Sequence, residues 1–408
     1  MISRTTGFTR TGRASIIVAS AAAALMALTA CVPNASSSTS AAGKATAVTV
    51  DSTASDCVVS AAKAPSGTVE FAITNSTDQV TEFYLLGDDG LRIVGEVENI
   101  APGAPRTLTV HLKAGDYFTI CKPGMTGDGV GRAAFTVTDS GAKVALVGNE
   151  KSQAATAAAN YVAYVKDQVA RLVPATSTFL DAYLAGDDAG TRSLYASTRA
   201  YYERIEPVAE SFGKLDPEID FREADVADGD EWTGWHRIEK DLWPPAAADN
   251  GGKPYVALTT AERRYFADKL EANTKELFDA VNAKDYSVSI DAISNGAIGL
   301  LDEVANGKIT GEEEIWSHTD LWDFQANLDG ARVAYEGVRD IVAAKNGSLV
   351  TKIDGQFTSL EKRLATYGSL DAGFTYYNDL TTAQVRQLAD GVNALSEPLS
   401  KLTAALVK

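Results

Sequence analysis

Ser140-Gly-Ala-Lys-Val-Ala-Leu-Val-Gly-Asn-Glu-Lys-Ser-Gln-Ala-Ala155 divides the chain into two kinds of polypeptide. Before it, apolar residues recur with a period of two. After it, the period is 3.6 and stays there to the end. The stretch carries a last strand out of the first part and then acts as the hinge. Its reading sets the fold class: an all-β part followed by an all-α part.

Upstream, short alternating runs lie between turn signals: Ala47–Asp51, Thr68–Thr74, Glu82–Leu86, Leu91–Val94, Thr107–Leu112, Asp116–Cys121 and Ala133–Thr138. Pro65-Ser-Gly67, Gly87-Asp-Asp-Gly90 and Ala101-Pro-Gly-Ala-Pro105 punctuate them. About seven strands at this spacing predict a Greek-key sandwich over residues 46–139. Residues 140–155 form the linker, and residues 156–408 form a helical bundle.

The bundle has clear start and stop signals. Tyr161, Val165, Val169 and Leu172 make one apolar stripe before Pro174, and Leu194, Tyr201, Ile205 and Val208 make a second within Leu194–Phe212. Thr259 with Glu262 forms a capping-box pattern for a helix to about Val281, and Thr381 with Gln384 forms one for the final helix. Ser287–Val304 is an apolar helix interrupted by glycine. Glu312-Glu-Glu314 places acids where the N-terminus of a long helix would favour them.

The length of 408 residues predicts two folded domains. A net charge of −17 excludes nucleic acid as a partner and favours attraction of cations. The first thirty residues read as a signal peptide: Arg4, Arg10 and Arg13 precede the apolar Ala14–Ala27, and Leu28-Thr-Ala-Cys31 closes the segment. Cysteine at that place resembles the bacterial lipobox, which implies lipid attachment at Cys31; an ordinary signal peptide with an incidental cysteine is the alternative. Residues 31–45 are then a lipidated cysteine and a Ser/Ala-rich flexible tether. No later stretch reaches the roughly 18 apolar residues a membrane span needs.

Trp232-Thr-Gly-Trp-His-Arg-Ile-Glu-Lys-Asp-Leu-Trp-Pro244 holds three of the five tryptophans and one of the three histidines. His236 and Glu239 fall on one helical face and could share a cation. Two further segments cluster acids: Glu203 with Glu206 in one, Asp320 with Asp323 and Asn327 in the other. Each reads equally as a solvated face or a helix start, Glu203 and Glu206 pairing with Arg199 and Arg204. Together, carboxylates from three helices and an imidazole make an oxygen-rich set suited to iron, manganese, zinc or calcium. A zincin protease would need a histidine at position 240, where Lys240 stands.

Lys113-Ala-Gly-Asp-Tyr-Phe-Thr-Ile-Cys121 resembles the penultimate cupredoxin strand. Blue copper needs two histidines with the cysteine, and His111 is the only histidine in this part. Cys57 and Cys121, with Met125, Glu82 and Glu96 near them in sequence, leave open a softer metal site or a disulfide.

Residues 201–210 (Tyr-Tyr-Glu-Arg-Ile-Glu-Pro-Val-Ala-Glu), Gly234-Trp-His-Arg-Ile-Glu239 and Trp316-Ser-His-Thr-Asp-Leu-Trp-Asp-Phe-Gln-Ala-Asn327 resemble the imelysin-like family. They match best its EfeO-type iron-uptake lipoproteins, which put a cupredoxin-like domain first, and Asn99-Ile-Ala-Pro-Gly103 resembles a turn of that domain. The resemblance implies an extracytoplasmic, membrane-anchored component of a ferrous-iron uptake system that works with an iron permease and a haem-containing, peroxidase-like partner. It implies iron (Fe2+ or Fe3+) at His236 and Glu239, with Glu203, Asp268 and Asp323 as further carboxylate ligands. In the sandwich it implies copper or iron at Cys57, Glu82 and Cys121; zinc is an expected in vitro occupant. The rival classes are a metalloenzyme, either ferroxidase or peptidase, and a metal-bridged binder of an anionic polymer.

Overall fold

The computed structural model describes residues 45–141, 148–306 and 308–407. The signal segment, Cys31 and the tether therefore lie outside the described residues, as does the expected last strand within the linker.

Nine strands build the N-terminal sandwich: β1 (Thr46–Ser52), β2 (Cys57–Val59), β3 (Lys63–Pro65), β4 (Gly67–Asn75), β5 (Thr81–Leu86), β6 (Ile93–Ile100), β7 (Pro105–Leu112), β8 (Gly115–Cys121) and β9 (Val130–Thr138). They form a four-stranded sheet in the order β2-β1-β4-β7 and a five-stranded sheet in the order β3-β9-β8-β5-β6. The period-two reading finds the long strands and misses β2 and β3, which are too short to show alternation. Strands β1 and β4 bury every second residue, as a sheet with one wet face must. Phe71 packs against Phe83 and Phe135 at 5.3 Å each, joining the two sheets. β5 is buried at all six positions, because the core covers one face and a helix covers the other.

Cys57 and Cys121 are joined as a disulfide between β2 and β8. This corrects the implied role of both as metal ligands: a sulfur committed to a disulfide has no thiolate to offer a metal.

That covering helix is α1 (Glu150–Ala185). It starts within the expected linker, where the Asn149 side chain caps it by accepting from the Ser152 N–H at 3.0 Å. It also runs straight through Pro174, where a stop was expected. Proline removes the hydrogen bond to the carbonyl four residues earlier. Here that carbonyl, Ala170 O, accepts instead from Gly127 N of the sandwich at 3.0 Å. The bond lost inside the helix is replaced by one that docks the sandwich.

The same seam holds a fully buried ion pair between Lys122 and Asp167. Arg171 pairs with Asp167 at 2.8 Å and with Asp128 at 3.2 Å. The Asn160 side chain donates to Val94 O at 3.1 Å. Sandwich and bundle belong to one compact unit, Gly43–Lys408.

The bundle continues with α2 (Asp188–Glu203), α3 (Leu215–Asp220), α4 (Trp235–Leu242), α5 (Thr260–Val281), α6 (Ile290–Asn306), α7 (Asp320–Leu364), α8 (Thr382–Leu399) and α9 (Leu402–Val407). Both predicted capping boxes are present, at Thr259 with Glu262 and at Thr381 with Gln384. Three local expectations are corrected. The Leu194–Phe212 helix ends at Glu203 and resumes as a 3-10 turn over Glu206–Phe212, since Pro207 cannot donate back into an α-helix. Glu312–Glu314 precede α7 as an irregular turn and are not its first residues. A two-stranded ribbon, β10 (Gly368–Ser369) with β11 (Gly373–Phe374), interrupts the helices. Among the described residues no helix is long and apolar enough to cross a membrane.

Candidate metal centre

Helix α4 is short and buried on almost every side. Trp235 packs against Phe179 and Tyr195, at ring separations of 5.0 and 6.1 Å. Trp232 lies against Trp316 at 5.7 Å, with the Lys240 ammonium over both rings at 5.6 and 5.1 Å. The tryptophans are packing, and they fix the helix that carries His236 and Glu239. Gly234, before the first turn, has φ 87°. A Cβ there would stand 2.1 Å from the Ile219 carbonyl oxygen, so α4 and the end of α3 approach only because this residue has no side chain. Gly234→Ala should therefore destabilise the fold by about 1–3 kcal/mol and separate Asp220 from His236. Urea unfolding checks the first effect; metal binding at least as tight as in the wild type would refute the second.

His236 is fully buried. Its Nδ1 stands 3.1 Å from Glu239 Oε2 and 4.0 Å from Glu314 Oε1. Its Nε2 stands 3.7 Å from Asp220 Oδ1 and 3.6 Å from Glu313 Oε1, too far for a hydrogen bond. Two groups thus bring ligand atoms close enough to share a cation, and both use His236: one with Glu239 and Glu314, the other with Asp220 and Glu313.

Neighbouring groups hold these side chains in place. Glu239 Oε1 accepts from the backbone N–H groups of Trp316 and Ser317 at 3.1 and 2.7 Å. Glu314 accepts from Ser317 Oγ at 2.7 Å and from the Tyr195 hydroxyl at 3.3 Å. The turn bearing Glu313 and Glu314 ends at His318, whose φ of 59° is left-handed, and His318 N closes back on Glu314 O at 2.8 Å.

Two buried cations stand beside the histidine. The Arg199 guanidinium pairs with Glu203 and Asp220, with Glu314 at 2.7 Å and with Asp323 at 3.3 Å. The Lys308 ammonium lies 2.9 Å from Glu203, 2.8 Å from Glu206 and 3.8 Å from Glu313. The Asn327 amide also donates to Glu203 and Glu206, at 2.9 and 2.6 Å.

The titration behaviour follows from this crowding. Burial pushes Asp220, Glu314 and Asp320 each up to about 7, against Arg199 for Asp220 and with Glu239 adding repulsion for Glu314. Burial and Glu203 hold Asp323 well above the ordinary carboxylate range. Glu313 is shifted the other way: burial is outweighed by Lys308 and His236. For His236, burial and Arg199 oppose the charged form, yet Glu239, Glu313 and Glu314 raise it well above its ordinary value. Eight carboxylates (Glu203, Glu206, Asp220, Glu239, Glu313, Glu314, Asp320 and Asp323) crowd around three buried basic side chains, Arg199, His236 and Lys308, with Arg222 3.6 Å from Glu313 at the edge. Protons or a further cation must offset that excess.

The structure brings His236, Glu239, Glu203 and Asp323 into this cluster, although Glu203 and Asp323 face Arg199 and belong to neither cation-sized group. Asp268 is corrected: it is exposed on α5 and faces Arg264 at 3.9 Å. Glu82 lies on β5 at the seam with α1, where it accepts from the Tyr84 hydroxyl at 2.5 Å, and burial raises it to about 7. It belongs to neither group. Asp220, Glu313 and Glu314 were not among the predicted ligands. One signal was readable: three successive acids, Glu312-Glu-Glu314, stand directly before the Trp316–Asn327 segment that carries the family resemblance.

Fold and centre define a class: a disulfide-bearing cupredoxin-like sandwich joined to a helical bundle with a buried His/carboxylate centre. Residues 157–402 match the imelysin family, and residues 21–130 match the cupredoxin-like domain. The chain is 37 % identical over 353 residues to the iron uptake system component EfeO of Yersinia pestis, covering 86 % of this chain and 88 % of that one. It is 36 % identical over 347 residues to the iron uptake system component EfeO of Escherichia coli O157:H7, covering 83 % and 86 %. The chain belongs to the imelysin family, among its EfeO-type members.

Proposed function

We propose that this protein is an extracytoplasmic iron-binding component of a ferrous-iron uptake system, which captures iron and passes it to a membrane permease. The observation that carries the reading is the carboxylate excess around His236, buried where a bound cation would offset it. Oxygen donors with one imidazole suit iron in either oxidation state. The relatives, which are named as iron uptake components, support iron over other metals. Anchoring through a lipid on Cys31, and cooperation with a haem-containing peroxidase-like partner, rest on resemblance to the family. With both sandwich cysteines in a disulfide, the helical centre is the main iron site of this proposal.

The test is titration of the purified protein with Fe2+, Fe3+, Cu2+ and Zn2+, beside a variant carrying His236→Ala and Glu239→Ala. One high-affinity iron equivalent should vanish in the variant. Unchanged iron binding would sink the assignment. Catalytic loss of Fe2+ in excess over protein would make the protein a ferroxidase instead.

A further inference from the structure

One cation at His236 would need only one ring nitrogen, yet both ring nitrogens face a carboxylate pair. On the Nδ1 side are Glu239 and Glu314, whose side chains are 0 % exposed. On the Nε2 side are Asp220 and Glu313, each 8 % exposed. Nε2 is buried, makes no hydrogen bond and points between these two carboxylates. A buried, unpaired ring nitrogen is costly unless something occupies the space before it. The two positions also differ in access, since only the Nε2 pair keeps contact with the surface.

We infer that His236 serves two divalent-cation positions in turn: an outer one on Nε2 with Asp220 and Glu313, and an inner one on Nδ1 with Glu239 and Glu314. The inference rests on the reading of this centre as a cation site. Occupancy alternates because a neutral imidazole has one lone pair and one N–H. With the cation outside, Nδ1–H donates to Glu239. With the cation inside, the ring proton is on Nε2 and points at Asp220 and Glu313. While a cation is bound the ring is neutral, the second ring proton that Glu239, Glu313 and Glu314 favour in the empty centre leaving as the cation enters. Each carboxylate pair exchanges the role of ligand for that of partner to the ring N–H, the arrangement that orients metal-bound histidines generally. A cation would enter where the surface is near and be held where it is not.

Co2+ tests this, because its visible absorption reports its ligands. Binding at the centre is read on the full chain as the difference from His236→Ala. The wild type should take one Co2+ there. Glu239→Gln, which disables the inner position, and Asp220→Asn, which disables the outer, should each still take one, with two different spectra. The double variant should take none. Glu314→Gln and Glu313→Gln form a second inner and outer pair should either first variant fail to fold. Two equivalents in the wild type would overturn alternation. Loss of Co2+ in either single variant, or identical spectra in both, would overturn the second position. No Co2+ attributable to His236 in the wild type would instead refute the cation-site reading itself.

Discussion

Arg199→Met should cost about 3–5 kcal/mol of stability, the penalty for removing one partner of a buried charged network. Arg199 is 0 % exposed, and three of its nitrogens hold Glu203, Asp220, Glu314 and Asp323. Methionine fills similar volume but leaves those four carboxylates facing one another. Arg199→Lys keeps the charge but lacks the planar fork that reaches several partners at once, and should fall between the two. The diagnostic part is rescue. Asp220 and Glu314 each belong to a cation-sized group, so a divalent ion can replace part of what the guanidinium did. Urea midpoints of chelator-treated protein, repeated with excess Zn2+, should show a larger gain for Arg199→Met than for the wild type. An equal or smaller gain would mean that the guanidinium and the cation positions are energetically separate.

How much of this was readable before the structure depends on what each feature needs. The long strands and most helices depend on local periodicity, so Thr68–Thr74 and Thr260–Val281 were legible nearly to their ends. Pro174 was misread because the hydrogen bond that lets α1 continue comes from Gly127, on another domain. His236 and Glu239 were legible because a helix sets their spacing. Asp220, Glu313 and Glu314 were not: α3 ends and a left-handed turn closes near His236 only in three dimensions. Asp268 failed for a different reason: it was implied by the family resemblance alone, and its place on α5 is an exposed face beside Arg264. The cysteine pair was readable as a pair but not as a disulfide, because the packing that brings β2 of one sheet against β8 of the other is a tertiary fact.

The Lys122–Asp167 pair supports the second large prediction, since it joins the sandwich to α1 with Lys122 0 % and Asp167 4 % exposed. Burial opposes the charged carboxylate, but Lys122 and Arg171 hold Asp167 below its ordinary value of 3.8. A depressed folded value adds stability above the unfolded value and loses it as pH falls through the folded one. The wild type should therefore lose seam stability only in acid, below about pH 4. Asp167→Asn removes that acid loss and, at neutral pH, leaves the Lys122 ammonium buried without its partner, costing about 3–5 kcal/mol. The combined change Lys122→Met with Asp167→Leu should recover most of that loss, because an apolar pair has no desolvation penalty and Arg171, which also loses Asp167, keeps Asp128 at 3.2 Å. Calorimetry discriminates the seam from the cores: Asp167→Asn should split unfolding into two transitions, sandwich and bundle, while the double variant keeps one. A single transition in Asp167→Asn at the wild-type midpoint would show that the proline-freed carbonyl and the contacts around Val94 carry the docking without the buried pair.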